Sequence, residues 1–103
     1  MELTRKTTAW AAVDLSVLHG WVTGALSRLY ARQVTDTPEA TWCPEWWQHP
    51  EAVARLNVLM ATFMTAASDD DPVAMSAWWL DHADPHMSRL FDPRGVFKGC
   101  SPR

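Results

Sequence analysis

The chain has 103 residues and a formal net charge of −3, a length that suits one domain. Hydrophobic residues make up 48% and charged residues 20%, which is typical of a globular protein and excludes intrinsic disorder. The acidic balance and the scattered basic residues disfavour binding to nucleic acid or to an anionic membrane. No apolar stretch reaches the ~20 residues of a membrane span. We therefore predict a single domain over residues 1–103.

The first predicted element is an amphipathic helix. Asp14 is of a residue type that caps helix N-termini. After it, apolar residues recur at helical spacing: Val17, Leu18, Trp21, Val22, Ala25, Leu26, Leu29 and Tyr30. This pattern predicts a helix that begins between Thr8 and Leu15 and ends near Arg32 or Gln33.

Residues 34–42 are predicted to form a loop, and the ten residues from Trp42 to Glu51 hold two prolines and three tryptophans. Such a segment is not a simple helix, although Pro44 is able to start a short helical turn. Pro50 suits the first position of the next helix, which we expect to end near Ala67. Its apolar stripe comprises Val53, Leu56, Leu59, Met60, Phe63 and Met64.

Three Asp-Pro pairs follow, at residues 71–72, 84–85 and 92–93. Each pair is typical of an N-cap followed by proline at the first helical position. The residue before a proline avoids the α region, so we expect breaks at Asp84 and Asp92. We predict a helix from about Pro72 to His82 and a short helix from Pro85 to about Leu90. A turn over residues 92–95 follows, and then a short extended tail over residues 96–100 that packs back against the domain. The fold class is all-α, a small bundle of about three main helices with short helical turns.

Seven tryptophans in a chain of this size predict a tryptophan-rich core. Two adjacent pairs, Trp46 with Trp47 and Trp78 with Trp79, stand out among them. Neighbours on a helix point about 100° apart, so we expect at least one member of each pair to be partly exposed. Tryptophan is enriched at binding hot spots, which makes these four residues candidates for contact with a partner.

Cysteines and histidines predict a structural zinc site in the second half of the chain. Cys43, His82, His86 and Cys100 supply two thiolates and two imidazoles, the usual ligands of a tetrahedral zinc ion, and His49 is the alternate. One ion would tie three segments together and contribute folding energy. Buried thiols with hydrogen-bonded histidines, a disulfide between the two cysteines and a catalytic thiol are the alternatives.

The sequence also predicts a reducing environment for these thiols. Asp14 and His19 interrupt the apolar stretch near the N-terminus, and no small-residue cleavage site follows, so no signal peptide is predicted. A cytoplasmic location follows from this, and there Cys43 and Cys100 are not expected to keep a lasting disulfide.

Residues 81–86 hold two carboxylates and two imidazoles, a set that a metal-dependent hydrolase could use. No second carboxylate cluster and no nucleophile motif accompany it, and the four glycines fit no phosphate-binding pattern. These features favour a protein that is not an enzyme.

Three blocks of sequence resemble an uncharacterised family of small actinobacterial proteins that is known only as a domain of unknown function. The blocks are WCPEWWQHPEA at residues 42–52, MSAWWLDHADPHM at residues 75–87 and DPRGVFKGC at residues 92–100. The resemblance spans about residues 14–101. It implies an association with phages, plasmids and integrative conjugative elements in a bacterial host cell, and it implies no activity, cofactor or fold.

From these observations we expect a non-enzymatic accessory or regulatory protein of a phage or other mobile element. It would act by binding a protein partner, with a structural zinc ion as a possible part of its fold. A small helical regulator associated with nucleic acid is one alternative, which the acidic charge disfavours. A metal-dependent hydrolase using His82, His86 and Asp81 or Asp84 is the other.

Overall fold

The computed structural model describes residues 13–30 and 40–100, and these ranges form three helices and no β-strand. Helix α1 comprises an α-helix at Leu15–Trp21, a π-helix at Val22–Leu26 and an α-helical turn at Ser27–Leu29. Helix α2 is Pro50–Ala67, and a 3₁₀ turn at Trp46–Gln48 precedes it. Helix α3 comprises Pro72–Ala77, a π-helix at Trp78–Ala83 and Asp84–Phe91. The predicted all-α fold is confirmed. Within residues 13–30 and 40–100, none of the helices combines the length and the apolar composition that a bilayer span requires.

Helix α1 begins where the sequence predicts, because Asp14 caps it. The Asp14 carboxylate accepts hydrogen bonds from the backbone N–H groups of Ser16 and Val17, at 3.1 and 3.3 Å, and from the Ser16 hydroxyl at 2.8 Å. These bonds, the hydroxyl bond first, lower the pKa of Asp14 below its ordinary value. The first turn of the helix thus has its exposed N–H groups satisfied by a side chain.

The end of α1 differs from the prediction. The helix ends at Leu29, since Tyr30 leaves the helical region at φ −117° and ψ 31°. The predicted ends, Arg32 and Gln33, lie outside the described residues. Sequence periodicity also gave no sign of the π-helical segment Val22–Leu26, whose wider turn is common near functional sites.

Helix α2 has the bounds that the sequence predicts, Pro50–Ala67. Pro50 lies in the first turn, where its missing N–H costs no hydrogen bond. Glu51 accepts a hydrogen bond from Arg55 Nε at 2.9 Å one turn later. The face of α2 that lies toward the other helices buries Ala52, Val53, Leu56 and Leu59.

Helix α3 begins as predicted but does not break. The Asp71 carboxylate accepts a hydrogen bond from the N–H of Val73 at 3.0 Å, which caps the helix before Pro72. The expected break at Asp84 is wrong, because Asp84 is helical at φ −61° and ψ −46° and its N–H donates to the Trp79 carbonyl, five residues back. Proline has no N–H to donate to the carbonyl four residues back. In the π-helical turn before Pro85 the hydrogen bonds join residues five apart instead, so the helix continues to Phe91.

The core lies where α1 and α3 pack against α2. The indole N–H of Trp78, on α3, donates to the Leu59 carbonyl at 3.2 Å and to Thr62 Oγ1 at 2.9 Å, both on α2. Trp21, on α1, contacts Phe63 of α2 with ring centroids 5.7 Å apart. The buried tryptophans are Trp21, Trp46 and Trp78. The predicted tryptophan-rich core is therefore confirmed.

Candidate functional site

Residues 40–49, which we call the crossing segment, lie between α1 and α2 in the chain and follow an irregular path. The N–H of Thr41 donates to the Phe91 carbonyl at 2.9 Å, which ties this segment to the end of α3. The N–H of His49 donates to the Trp46 carbonyl at 3.0 Å and ends the 3₁₀ turn. His49 is then the residue that precedes α2, with its ring half-buried.

The C-terminal segment, residues 92–100, packs back as predicted but is not extended. It is a run of turns, in which the N–H groups of Gly95, Lys98 and Cys100 each donate to the carbonyl three residues back. A Cβ on Gly95 would lie 2.8 Å from the Arg89 carbonyl oxygen, so this close approach requires glycine. The expected break at Asp92 is confirmed, since Asp92 has an extended conformation at ψ 121°.

Phe97 anchors this C-terminal segment in the core. Its side chain is fully buried and makes edge-on contacts with the rings of Trp42 and His49, with centroids 5.1 and 5.0 Å apart. Because Phe97 holds the segment in place, Cys100 lies beside the residues that precede α2.

Cys43 and Cys100 form a disulfide, with their Cα atoms 5.7 Å apart. This separation is within the usual span of about 4.4–6.8 Å for bonded cysteines. The expectation that the two thiols do not pair is therefore corrected by the structure. The physical reason is proximity, since the packing of Phe97 brings the two residues together across 57 positions of sequence.

His49 completes a group of three residues that could hold a metal ion. One ligand atom of Cys43, one of His49 and one of Cys100 all lie within 4.8 Å of one another. Cys43 is buried, and the other two residues are half-buried. We call these three residues the cystine–histidine cluster.

The structure does not bring His82 and His86 to this cluster. His86 Nδ1 accepts a hydrogen bond from Arg55 Nη1 at 2.9 Å, so its ring faces α2. Burial first, and then the charges of Arg55 and His82, lower the pKa of His86. His82 is exposed and lines a depression of about 250 Å³ together with Thr62 and Thr65 of α2.

A second candidate site is an apolar cleft of about 140 Å³ along the π-helical part of α1. Its lining includes Val22, Thr23 and Leu26 of α1, Trp42 and Trp46 of the crossing segment, and Phe91 of α3. The Thr23 hydroxyl on the rim donates to the His19 carbonyl at 2.8 Å. The sequence gave no signal for this cleft, since its walls come from three separated segments.

The two tryptophan pairs divide between core and surface. Trp46 and Trp78 are buried, Trp79 is half-buried and Trp47 is 39% exposed. Trp47 contacts Trp46 and His19 edge-on, with ring centroids 5.8 and 5.5 Å apart. Since Trp46 and His19 both line the cleft, Trp47 extends an aromatic surface outward from its rim.

One contact that the sequence did not reveal holds the cleft in shape. The Tyr30 hydroxyl, at the end of α1, donates to Asp84 Oδ1 of α3 at 2.7 Å. The two residues lie 54 positions apart, so no local pattern could have paired them. Through this bond, the wall of the cleft that α1 supplies is fixed relative to the wall that α3 supplies.

Comparison with known protein families gives a match that covers most of the chain. The profile of a family described as Domain of unknown function (DUF4913) matches residues 16–103. No curated protein and no solved structure matches the chain.

Proposed function

Since the chain belongs to the DUF4913 family, whose function is unknown, we propose its function from the chemistry of its surface. We propose that it is a non-enzymatic accessory protein that binds a protein partner, and that the apolar cleft accepts one large apolar side chain of that partner. The observation that carries this proposal is an aromatic cleft on a folded surface with the exposed Trp47 beside it. Concave apolar surface and partly exposed tryptophans are both common features of binding sites.

The size of the cleft indicates what it accepts. Its volume of about 140 Å³ is close to that of a cavity of roughly 150 Å³ that binds benzene. Pockets for cofactors and drug-sized molecules are larger, about 300–1,000 Å³. The volume therefore suits one aromatic or branched aliphatic side chain inserted from a protein surface.

Trp47 supplies the second part of the interface. With 39% of its surface exposed, it offers a rigid ring to a partner that lies over the cleft. Anchors of this type, surrounded by contacts that exclude water, carry most of the energy in protein interfaces. The half-buried Trp79 contacts Tyr30, which lines the cleft, with centroids 5.6 Å apart.

The test is selection of binding peptides from a random displayed library, followed by substitution of a rim residue. Thr23→Phe, which places a ring at the cleft, is expected to weaken binding of selected peptides at least tenfold, about 1.4 kcal/mol. Thr65→Phe is the matched control, because Thr65 is also an exposed helical threonine whose hydroxyl donates to a backbone carbonyl. It lines the other depression and should leave binding unchanged.

Selected peptides are expected to share one large apolar residue that is essential for binding. Equal binding by the Thr23→Phe and Thr65→Phe variants would contradict the proposal. The bacterial cytoplasm and the mobile element that the resemblance implies form the setting of this proposal, with the partner encoded by the host or by the element.

We also propose a structural zinc ion at the cystine–histidine cluster in the reduced protein. The support is the mutual distance of the three ligand atoms, within 4.8 Å, together with two thiolates and an imidazole as donors. His49 thus takes the place of His82 and His86 in the ligand set. Elemental analysis of protein purified under reducing conditions without chelator should give about one zinc per chain, and a content far below one would contradict this proposal.

A further inference from the structure

The geometry points to a redox-gated zinc site, in which the Cys43–Cys100 disulfide and a bound zinc ion are two exclusive states of one cluster. In the oxidised state the two sulfurs are bonded to each other and have no thiolate to offer. In the reduced state both thiolates, the His49 imidazole and one water hold Zn²⁺. This inference rests on the proposed zinc ion and adds what controls its binding and release.

The ligands on the crossing segment are positioned without help from the disulfide. Thr41, two residues before Cys43, is held by its hydrogen bond to the Phe91 carbonyl. His49 is fixed by the 3₁₀ turn on one side and by the start of α2 on the other. Cleaving the sulfur–sulfur bond therefore leaves the backbone of both ligands in place.

The third ligand is positioned independently as well. The N–H of Cys100 donates to the Phe97 carbonyl at 2.9 Å, and the Phe97 side chain is fully buried. Apolar packing thus keeps the C-terminal segment against the core in the reduced protein. A site whose ligands are already in place loses little conformational entropy when the metal binds.

The distances fit one tetrahedral ion. Bonds of about 2.3 Å to sulfur and about 2.0 Å to nitrogen place the ligand atoms of a tetrahedral ion roughly 3.5–3.8 Å apart. The three ligand atoms already lie within 4.8 Å of one another, so one ion fits among them once the sulfur–sulfur bond is cleaved and the two sulfurs move apart. The ring of His49 makes no hydrogen bond to any described residue, and its nitrogen is available to a metal.

The donor set selects the metal. Two thiolates with one imidazole favour zinc over the oxygen-seeking ions magnesium and calcium. Because His49 and Cys100 are half-buried, water can reach the fourth position of the ion. The site is therefore accessible both to zinc and to small thiol reagents.

The disulfide state and the zinc-bound state interconvert by thiol–disulfide exchange. A dithiol reductant gives two electrons and two protons to the disulfide and itself becomes a disulfide. Zinc then displaces the two thiol protons to solvent. In the reverse direction a small-molecule disulfide takes two electrons from the two thiolates, and its own sulfur–sulfur bond breaks to give two thiolates that leave. The Cys43–Cys100 bond forms, and Zn²⁺ is released to water.

The test is equilibrium dialysis of the full chain against zinc, first oxidised and then reduced with a phosphine, which does not compete as a thiol. We expect about one zinc per chain in the reduced protein and less than a tenth of that in the oxidised protein. Adding oxidised glutathione to the reduced, zinc-loaded protein should release the zinc to a zinc-sensitive dye as the disulfide forms.

Three histidine variants identify the ligand. His49→Gln is expected to lower the zinc affinity of the reduced protein at least about 100-fold, since even outer partners of zinc ligands are worth 10–100-fold. His82→Gln and His86→Gln should leave the affinity unchanged. Near-ultraviolet circular dichroism of each oxidised variant checks the fold, because the disulfide remains in all three.

The outcomes separate the two proposals. If the reduced protein binds no zinc, the zinc proposal and this inference both fail. If the reduced protein binds zinc but keeps it after the disulfide has formed, only the redox gating is overturned. If His82→Gln or His86→Gln abolishes binding while His49→Gln does not, then His49 is not the histidine ligand and the cluster is not the site.

Discussion

Two regions of the molecule carry similar residue types and behave differently. At the cystine–histidine cluster, Cys43, His49 and Cys100 converge at the start of α2. At the contact between α2 and α3, His86 pairs with Arg55 and His82 lies on an open depression. The sequence analysis grouped the cysteines and histidines of both regions into one predicted zinc site, because it could compare only their residue types. The structure separates them because the cluster lies at the start of α2, whereas His86 and His82, both on α3, contact or face residues further along α2.

The length of α2 explains why His82 lies far from the cluster. His82 lines the depression with Thr62, which lies more than three helical turns beyond His49, about 20 Å away along the helix. Cys43 and Cys100, by contrast, are close to His49 itself. The comparison shows that candidate metal ligands chosen by residue type must also lie at the same level of the helix bundle to bind one ion.

The largest expected effect comes from removing the disulfide. The double variant Cys43→Ser with Cys100→Ser should lose about 4 kcal/mol of unfolding free energy, because the bond closes a loop of 57 positions in the unfolded chain. Urea unfolding of the oxidised protein, with chelator present, measures this loss.

His82→Gln is the control for the disulfide variant, since His82 is exposed and should change the unfolding free energy by less than about 0.5 kcal/mol. A loss below about 1 kcal/mol in the double serine variant would contradict the prediction, because it would mean that the bond restricts the unfolded chain far less than its loop length implies.

The second effect tests the contact between α2 and α3. Trp78→Phe should cost about 2 kcal/mol, because it removes the N–H that the Leu59 carbonyl and Thr62 Oγ1 accept. Trp21→Phe is the matched control, since the buried Trp21 N–H has no partner among the described residues. Thermal unfolding of both variants measures the difference. Equal losses would mean that ring volume, and not the hydrogen bond, sets the cost.

The third effect is a pH dependence at the same contact. The folded protein lowers the pKa of His86 below its ordinary value of 6.5. The unfolded chain therefore takes up a proton first, and stability should fall as the pH drops from about 7 to about 5. Among the described residues, the charges that act on His86 are those of Arg55 and His82, and Glu51 pairs with Arg55.

His86→Gln should make this fall in melting temperature smaller, since glutamine can accept the Arg55 hydrogen bond without titrating. The variant His49→Gln, at the other region, should leave the fall unchanged. An identical pH profile for His86→Gln and the unmodified protein would assign the dependence to other groups.

The smallest effect is expected at His49 in the oxidised protein. His49→Gln should lower the unfolding free energy by about 1 kcal/mol or less, because it removes the edge-on contact with Phe97 and no hydrogen bond of the His49 ring to a described residue. Urea unfolding without reductant measures it. A loss of several kcal/mol would mean that the ring contact with Phe97 is structural and would weaken a ligand role.

Local chemistry allowed much of the fold to be predicted. The Asp14 and Asp71 caps, and the prolines at positions 50 and 72, act through neighbouring backbone groups, so the starts of all three helices were readable. The break expected at Asp84 was wrong because the rule considers only the proline and its predecessor. It does not include the π-helical turn over Trp78–Ala83, which lets the helix continue through Pro85.

The candidate sites could be predicted from the sequence only in part. Residue types placed Cys43 and Cys100 in one ligand set with His49 as the alternate, but they did not indicate that His49, and not His82 or His86, would lie beside the two cysteines. The cleft was not predicted, because its walls come from α1, the crossing segment and α3. Neither tryptophan pair could be divided into a buried and a more exposed member before the helix faces were known.

The sequence by itself determined three helices, their N-terminal caps and a core rich in tryptophan, since these depend on periodicity and on contacts within one helical turn. The tertiary structure alone decided that Cys100 meets Cys43 and His49, that Tyr30 binds Asp84, and that a cleft opens beside Trp47. These contacts join residues distant in the chain, and their geometry is set by how the helices pack together.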